Sequence, residues 1–471
     1  MGLPTTSSDI ILSDVPNQPL GLIEVRTSLA VLPMLFAIRR TIARSVSSPW
    51  WALAAMGLIV AAFTLTHTSL WNPNVTSRLA TAQSLVERGT LCIDGSDLET
   101  IDKVKIGGHF YSDKPPLMSL LLAAEYLPLW AAGLRLGNQM NLAYFLLTFI
   151  TMGTSYLLCV ACFCDSLRLT GTERQHRAIA TGGLALGTIY LAWSTTLSNN
   201  GLSASWLFIG FYLLLRSWTS GQQKLLLFLS GLCVSFAAMV DYPVALFFVA
   251  FAVYAVVHRA LRKNSVYFLL PLLLTLLPTL IINYHVSGSL RPLEITPELY
   301  RYPGSYWLSS QEKLSGIRRN SMAFALRYGA SCLLGPQGFL LYNPLVLVAI
   351  GAIVHRIRHR GPFWVEAAMV GGVSALLVSY YTFSTSNYGG MNYSIRWFVP
   401  TIPVLCFFAY ADFDDLSGKK RALYKGLLVA GVVIAFVGAL NPWSDISTGK
   451  PAFLANLAGA MARLLGALGR S

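Results

Sequence analysis

The sequence predicts an all-α polytopic membrane protein with about eleven transmembrane helices, and three observations carry that reading. Of 471 residues, 54% are hydrophobic and only 12% are charged, with a mean hydropathy of +0.56. The apolar runs outnumber what one soluble core needs. The net charge of +14 is carried by short basic clusters between those runs, a pattern of membrane topology and contact with anionic lipid. It argues against a nucleic-acid surface.

Residues 1–26 are polar and mixed, with neither a basic n-region nor a small-residue cleavage site, so no removable signal peptide is expected. Residues 28–38 are apolar but too short to span. Arg39, Arg40 and Arg44 follow them, which suggests an interfacial helix within a cytoplasmic segment 1–49. A transmembrane domain over 50–441 then opens with a span from Trp50 to Thr66. Its far end enters a first outer loop, 67–140, in which 77–88 has helical periodicity with Arg78 at its start.

Four clusters, Arg168–Arg177, Arg259–Lys263, His355–Arg360 and Lys419–Lys425, are expected to face the cytoplasm. Between them lie apolar runs near 141–164, 179–197, 200–216, 224–240, 241–257, 266–284, 338–354, 363–384, 397–411 and 426–441. All four clusters fall inside only if the run 116–134 does not cross. That run holds Glu125 and Pro128, with Arg135 just beyond, and reads as a re-entrant or juxtamembrane helix on the outer side. The outer loop 285–337 and the loop 385–396 share that face. In the C-terminal tail, 442–471, residues 453–468 form a weakly amphipathic interfacial helix. Of the seven cysteines, Cys159, Cys162 and Cys164 belong to an apolar helix, where packing is their role. A Cys92–Cys332 disulfide stays open from sequence alone.

Chemistry is expected where His109-Phe-Tyr-Ser-Asp-Lys-Pro-Pro-Leu-Met118 sets Asp113 and Lys114 just before an apolar helix. Pro115 and Pro116 fix φ and suit a first helical turn, so the charged pair is held at a surface near hydrocarbon. Charges there need partners or a ligand, although a lone lysine can also snorkel to the interface. The same loop carries Asn74, Asp94, Asp97, Glu99, Asp102, His109 and Tyr111. These are acids enough to hold a divalent cation, but their spacing gives no ligand set. In Tyr388-Gly-Gly-Met-Asn392-Tyr-Ser-Ile-Arg396, the glycines let backbone approach a ligand and Arg396 sits at the mouth of a span. Asn200 and Asp241, each at the end of a run, fit either a satisfied turn or a cavity wall.

Tyr111-Ser-Asp-Lys-Pro-Pro-Leu, with the Arg78 helix and Val86-Glu-Arg-Gly-Thr before it, resembles the first outer loop of GT-C glycosyltransferases. It is similar to the bacterial lipid A aminoarabinose transferases and the protein O-mannosyltransferases. The resemblance implies an enzyme of the inner membrane that faces the periplasm or exterior. Such an enzyme moves a sugar from a polyprenyl-phosphate donor to a lipid, glycan or protein acceptor. It further implies Lys114 on the donor phosphate, with Arg78 and Arg396 assisting. His109, Tyr111, Asn200, Asp241 and Asn392 are then expected around the substrate cavity.

The family's acidic residue just after the first span has no counterpart, since Asn74, Val75 and Thr76 occupy the candidate positions. The expected base is therefore Asp113, with Asp102 and Asp94 as alternates and Asp241 more distant. The rivals are a lipid or solute transporter and a non-catalytic member of the GT-C group. Against a transporter, the midspan stretches are nearly charge-free and the polar groups gather at one face. The sugar and the acceptor are not written in the sequence.

Overall fold

The protein was analysed as a computed structural model that describes residues 50–67, 72–137, 141–309, 320–410, 417–444 and 450–468. The segment 1–49, with its expected interfacial helix, lies outside them. Helix α1 is Trp50–Thr66 and α2 is Pro73–Arg88. Asn72 caps α2 by accepting from the Asn74 N–H, Pro73 opens it, and Gly89 at φ 67° closes it. Strands β1 (Lys103–Ile106) and β2 (His109–Ser112) follow, and then α3, Pro116–Ala131.

The long helices come next: α4 (Leu142–Leu169, with a π-helical turn at Phe149–Gly153), α5 (Arg174–Leu186), α6 (Tyr190–Trp193), α7 (Asn199–Arg216) and α8 (Gln223–Val240). They continue as α9 (Ala245–Val257), α10 (Val266–Ser287), α11 (Met322–Leu334), α12 (Phe339–Tyr342) and α13 (Pro344–His359). The last are α14 (Trp364–Ser384), α15 (Thr401–Tyr410), α16 (Gly418–Ala439) and α17 (Ala452–Leu468).

The β1–β2 hairpin departs from the all-helical expectation. Its strands pair antiparallel, Lys103 opposite Ser112 and Ile106 opposite His109, around Gly107 and Gly108 at φ 59° and 90°. Two successive positive φ angles define the hairpin turn whose twist matches the strands, and glycine supplies them without steric cost.

Among the described residues, α4, α8, α10, α14 and α16 are individually long and apolar enough to cross a membrane; the bent unit of α11–α12 with α13 would make a sixth. Shorter apolar helices such as α1 and α15 accompany them, so five or six of the expected spans of about eleven meet that length and apolarity among the described residues. Two expected spans are broken. The run 179–197 ends at Leu186 because α16 crosses there: a Cβ on Gly431 would lie 2.3 Å from the Gly187 carbonyl oxygen. The run 338–354 breaks at Asn343, with a 95° bend, because Pro344 has no N–H to continue the helix. Asn343 repairs both breaks. Its Oδ1 accepts from the Ile189 N–H at 3.1 Å and its Nδ2 donates to the Phe339 carbonyl at 2.8 Å.

Apolar side chains stay exposed in stripes along single helix faces, as at Val249, Val253 and Val257, at Leu273 and Leu277, and at Val429 and Val433. Stripes of this extent are the surface a helix turns toward hydrocarbon. By contrast, α7 is buried along nearly its whole length, and α8 is its principal neighbour. The protein is a helical integral membrane protein built around that pair.

The two ends of the bundle differ. At one end Asp165 joins Arg168, Arg216 and Tyr212, Gln223 donates to the Ala260 carbonyl, and Trp218 stacks between His258 and Phe363. The basic clusters lie here. At the other end α2, the hairpin and α3 form a cap. There Tyr126 Oη donates to Glu87 at 2.5 Å and accepts from the Leu136 N–H, which folds α3 back along α2.

Candidate functional site

The cap places a buried ion cluster at the mouth of the bundle. Lys114, in the extended turn before α3, holds its ammonium 2.8 Å from Asp102 Oδ2 and 3.1 Å from Asp113 Oδ1, with each of these side chains at most 5% exposed. Asp102 sits just before β1 and Asp113 just after β2, so the hairpin brings the two carboxylates to one ammonium. Ser77 of α2 locks that geometry by bonding the Asp102 carbonyl and the Ser112 hydroxyl, both at 2.6 Å. Tyr300, from the loop after α10, donates its buried hydroxyl to Asp113 Oδ2 at 2.8 Å. Burial, the Asp113 charge and the Glu294 charge push the Tyr300 phenol well above its ordinary value. It is held as a donor.

A second group lies where α7, α8 and the loop before α15 meet. Asn200 Nδ2 donates to Asp241 Oδ2 at 2.7 Å, and Arg396 donates to Asn200 Oδ1 at 3.3 Å and to the Gly389 carbonyl at 2.9 Å. Gly389 has φ 87°, and Asn392 holds that loop by donating to the Tyr388 and Gly390 carbonyls. The Arg396 guanidinium lies 5.6 Å from the Trp443 ring centroid. Asp241 is 5% exposed and has no ion pair among the described residues. Burial raises its pKa to about 6, against the opposing Asn200 hydrogen bond.

Arg78 bridges the two groups electrostatically. It is 2% exposed, donates to the Asn74 carbonyl at 2.8 Å, and forms no ion pair among the described residues. Burial lowers its pKa to about 10, while Glu294, Asp113 and Asp102 oppose the shift and Arg396 reinforces it. It remains a cation at neutral pH. Beside Lys114 lies a small open crevice lined by Tyr111, Ser112, Ser119, Asn283 and Leu293 among others. The structure thus gathers Arg78, Asp102, Asp113, Lys114, Asn200, Asp241, Asn392 and Arg396 at one end of the bundle.

Asp94 and His109 are placed otherwise. They pair with each other at 2.7 Å on the more exposed side of the hairpin, and Asp94 Oδ1 accepts from the Phe110 N–H. Burial alone would raise the Asp94 pKa, but the His109 and Phe110 hydrogen bonds outweigh it and hold it low. Cys92 adjoins this pair, and all seven cysteines are free thiols, so the Cys92–Cys332 bridge is not formed. Glu294, Tyr300 and Trp443 were not legible as site residues. The loop 285–337 carries no motif, and Tyr300 reaches Asp113 across 187 residues of chain.

No family model matches the chain, and no curated protein matches it. Similarity does exist among solved structures. ArnT from Cupriavidus metallidurans bound to undecaprenyl phosphate superposes with a TM-score of 0.52 over 82% of this chain at 14% identity. The same protein in its apo state gives 0.51 over 79% at 16% identity. The fold is of the GT-C type. The chain spans 63% and 61% of the length of those two structures. In this GT-C fold, the cap that carries Asp113 and Lys114 is the part whose sequence resembles the family's first outer loop.

Proposed function

We propose that this chain is a GT-C glycosyltransferase that takes a sugar from a polyprenyl-phosphate donor at the outer face of a bacterial inner membrane. The domain limits 50–441 for the transmembrane part, 1–49 and 442–471 for the flanking segments, and the periplasmic orientation belong to the same proposal. The observation that carries it is the pair of guanidinium groups at the mouth of a GT-C fold, Arg78 and Arg396, neither of which forms an ion pair among the described residues, with Arg78 only 2% exposed. Breaking a sugar–phosphate bond leaves charge on the departing lipid phosphate, and preorganised guanidinium groups in a water-poor site stabilise it. ArnT, whose fold this chain shares, binds undecaprenyl phosphate in one of those structures.

Roles follow from the geometry. Lys114 spends its ammonium on Asp102 and Asp113, so it holds the cap closed and offers the phosphate a shared contact, while Arg78 and Arg396 carry the main anion contact. Asp241 is the better general base. Among the described residues no cation pairs with its carboxylate, and a pKa of about 6 is matched to proton abstraction from an acceptor hydroxyl near neutral pH. Asp113 and Asp102 remain positioning groups beside it.

The test measures undecaprenyl phosphate binding to the purified protein in detergent together with the lipid-linked sugars of a strain lacking it. Arg78→Ala or Arg396→Ala should weaken binding more than about tenfold, as expected for one charge-assisted contact. The deletion strain should accumulate a polyprenyl-phosphate sugar that the wild-type gene, but not Lys114→Ala, clears. Unchanged binding in both arginine variants with no lipid-linked sugar accumulating would refute the proposal.

A further inference from the structure

A second cluster stands on the same cap and has no part in the reaction proposed above. Cys92, Asp94 and His109 offer one ligand atom each, and those atoms all lie within 4.8 Å of one another. Their placement is built by the backbone. Cys92 forms an antiparallel bridge with Tyr111, which sets it beside β2, and the Phe110 N–H fixes the Asp94 carboxylate at 2.7 Å. The Ile93 N–H donates to the Phe110 carbonyl at 2.9 Å, so 92–94 runs alongside the strand that carries His109. The three side chains are half-buried or exposed, so an ion can reach them from solvent.

We propose that Cys92, Asp94 and His109 bind a divalent transition metal of the zinc class, with water completing a four-coordinate shell. The donor set decides the class. A thiolate and an imidazole select borderline-soft ions, whereas magnesium and calcium require oxygen ligands throughout. The Phe110 N–H acts as the outer hydrogen bond that orients a ligating carboxylate. Without an ion, His109 Nδ1 and Asp94 Oδ2 lie 2.7 Å apart, at hydrogen-bond distance. Two ligands of a first-row metal at tetrahedral angles stand about 3.3 Å apart, so binding replaces that hydrogen bond and opens the pair by roughly half an ångström. The cation itself deprotonates the Cys92 thiol.

The ion would act through the hairpin. Its ligands tie the segment before β1 to the first residue of β2, and β2 runs straight into Asp113 and Lys114. A metal here would therefore hold the strand that positions the buried ion cluster, as a structural site independent of donor binding.

The experiment titrates Co²⁺, as a spectroscopic stand-in for Zn²⁺, into the chelator-treated full-length protein in detergent. The expected result is a saturable one-to-one change with a thiolate-to-cobalt charge-transfer band and the visible bands of four-coordinate cobalt. Cys92→Ser should abolish the charge-transfer band, Cys332→Ser should keep it, and His109→Gln should weaken binding more than about tenfold. Zn²⁺ but not Mg²⁺ should raise the thermal midpoint of the unaltered protein. Absence of the charge-transfer band in the unaltered protein, or its persistence in Cys92→Ser, overturns the site. Neither outcome bears on sugar transfer, which the lipid analysis tests separately.

Discussion

At the scale of single residues, Asp241 is the group proposed as the base. Its pKa rises from 3.8 to about 6 because burial penalises the charged form. The folded state therefore binds this proton more tightly than the unfolded chain does. The resulting cost, on the order of 3 kcal/mol, is absent below about pH 4, grows through the interval, and is fully present above about pH 6. Asp241→Asn removes a carboxylate whose burial is unfavourable at neutral pH, while an amide oxygen still accepts from Asn200. The variant should keep or raise its thermal midpoint at pH 7.5 and lose about 10² to 10⁴ in turnover. In the unaltered protein, kcat/KM should fall as pH drops below about 6, in step with protonation of one group. A midpoint lowered along with activity would make Asp241 a structural residue. Asp113 and Lys114 were legible because two prolines marked their place. Asp241 looked remote because its links to Asn200 and Arg396 span loops far apart in sequence, and no local pattern encodes them.

At the scale of elements, the breaks in helices matter as much as their spans. Hydropathy sees 179–197 and 338–354 as continuous, since the apolar run does not end where the helix does. What ends it is contact: Gly187 receives α16 at backbone distance, and Asn343 satisfies the donor that the break leaves at Ile189. Asn343→Ala should leave the Ile189 N–H buried and unpaired and cost about 1 to 3 kcal/mol. The loss would appear as a lower thermal midpoint in detergent with donor binding retained. A midpoint within error of the parent would mean that the break is satisfied by other groups. The β-hairpin, in contrast, was written locally. Lys103-Val-Lys-Ile, Gly-Gly and His-Phe-Tyr-Ser carry the alternation and the turn pair of a two-residue hairpin, and reading the segment as a polar loop passed over that signal.

At the scale of the whole molecule, charge and polarity divide the bundle into a basic end and the end that carries the candidate site, and that division predicts sidedness. Arg259–Lys263 follow α9 at the end where Asp165 meets Arg216, whereas Ser289 follows α10 at the end that holds Asn200, Asp241 and Tyr300. Both Lys263 and Ser289 are exposed. The positive-inside rule then puts Lys263 in the cytoplasm and Ser289 outside. In a cysteine-free background expressed in a bacterial inner membrane, Ser289→Cys should react with an impermeant thiol reagent added to intact spheroplasts. Lys263→Cys should react only after permeabilisation. This outcome also constrains α3, because Tyr126 ties it to Glu87 and Leu136 within the cap. If the whole bundle were instead inverted, Lys263 would label from outside while Ser289 did not. The inverted labelling would also place Arg78, Arg396 and Asp241 in the cytoplasm, where a donor presented at the outer face cannot reach them.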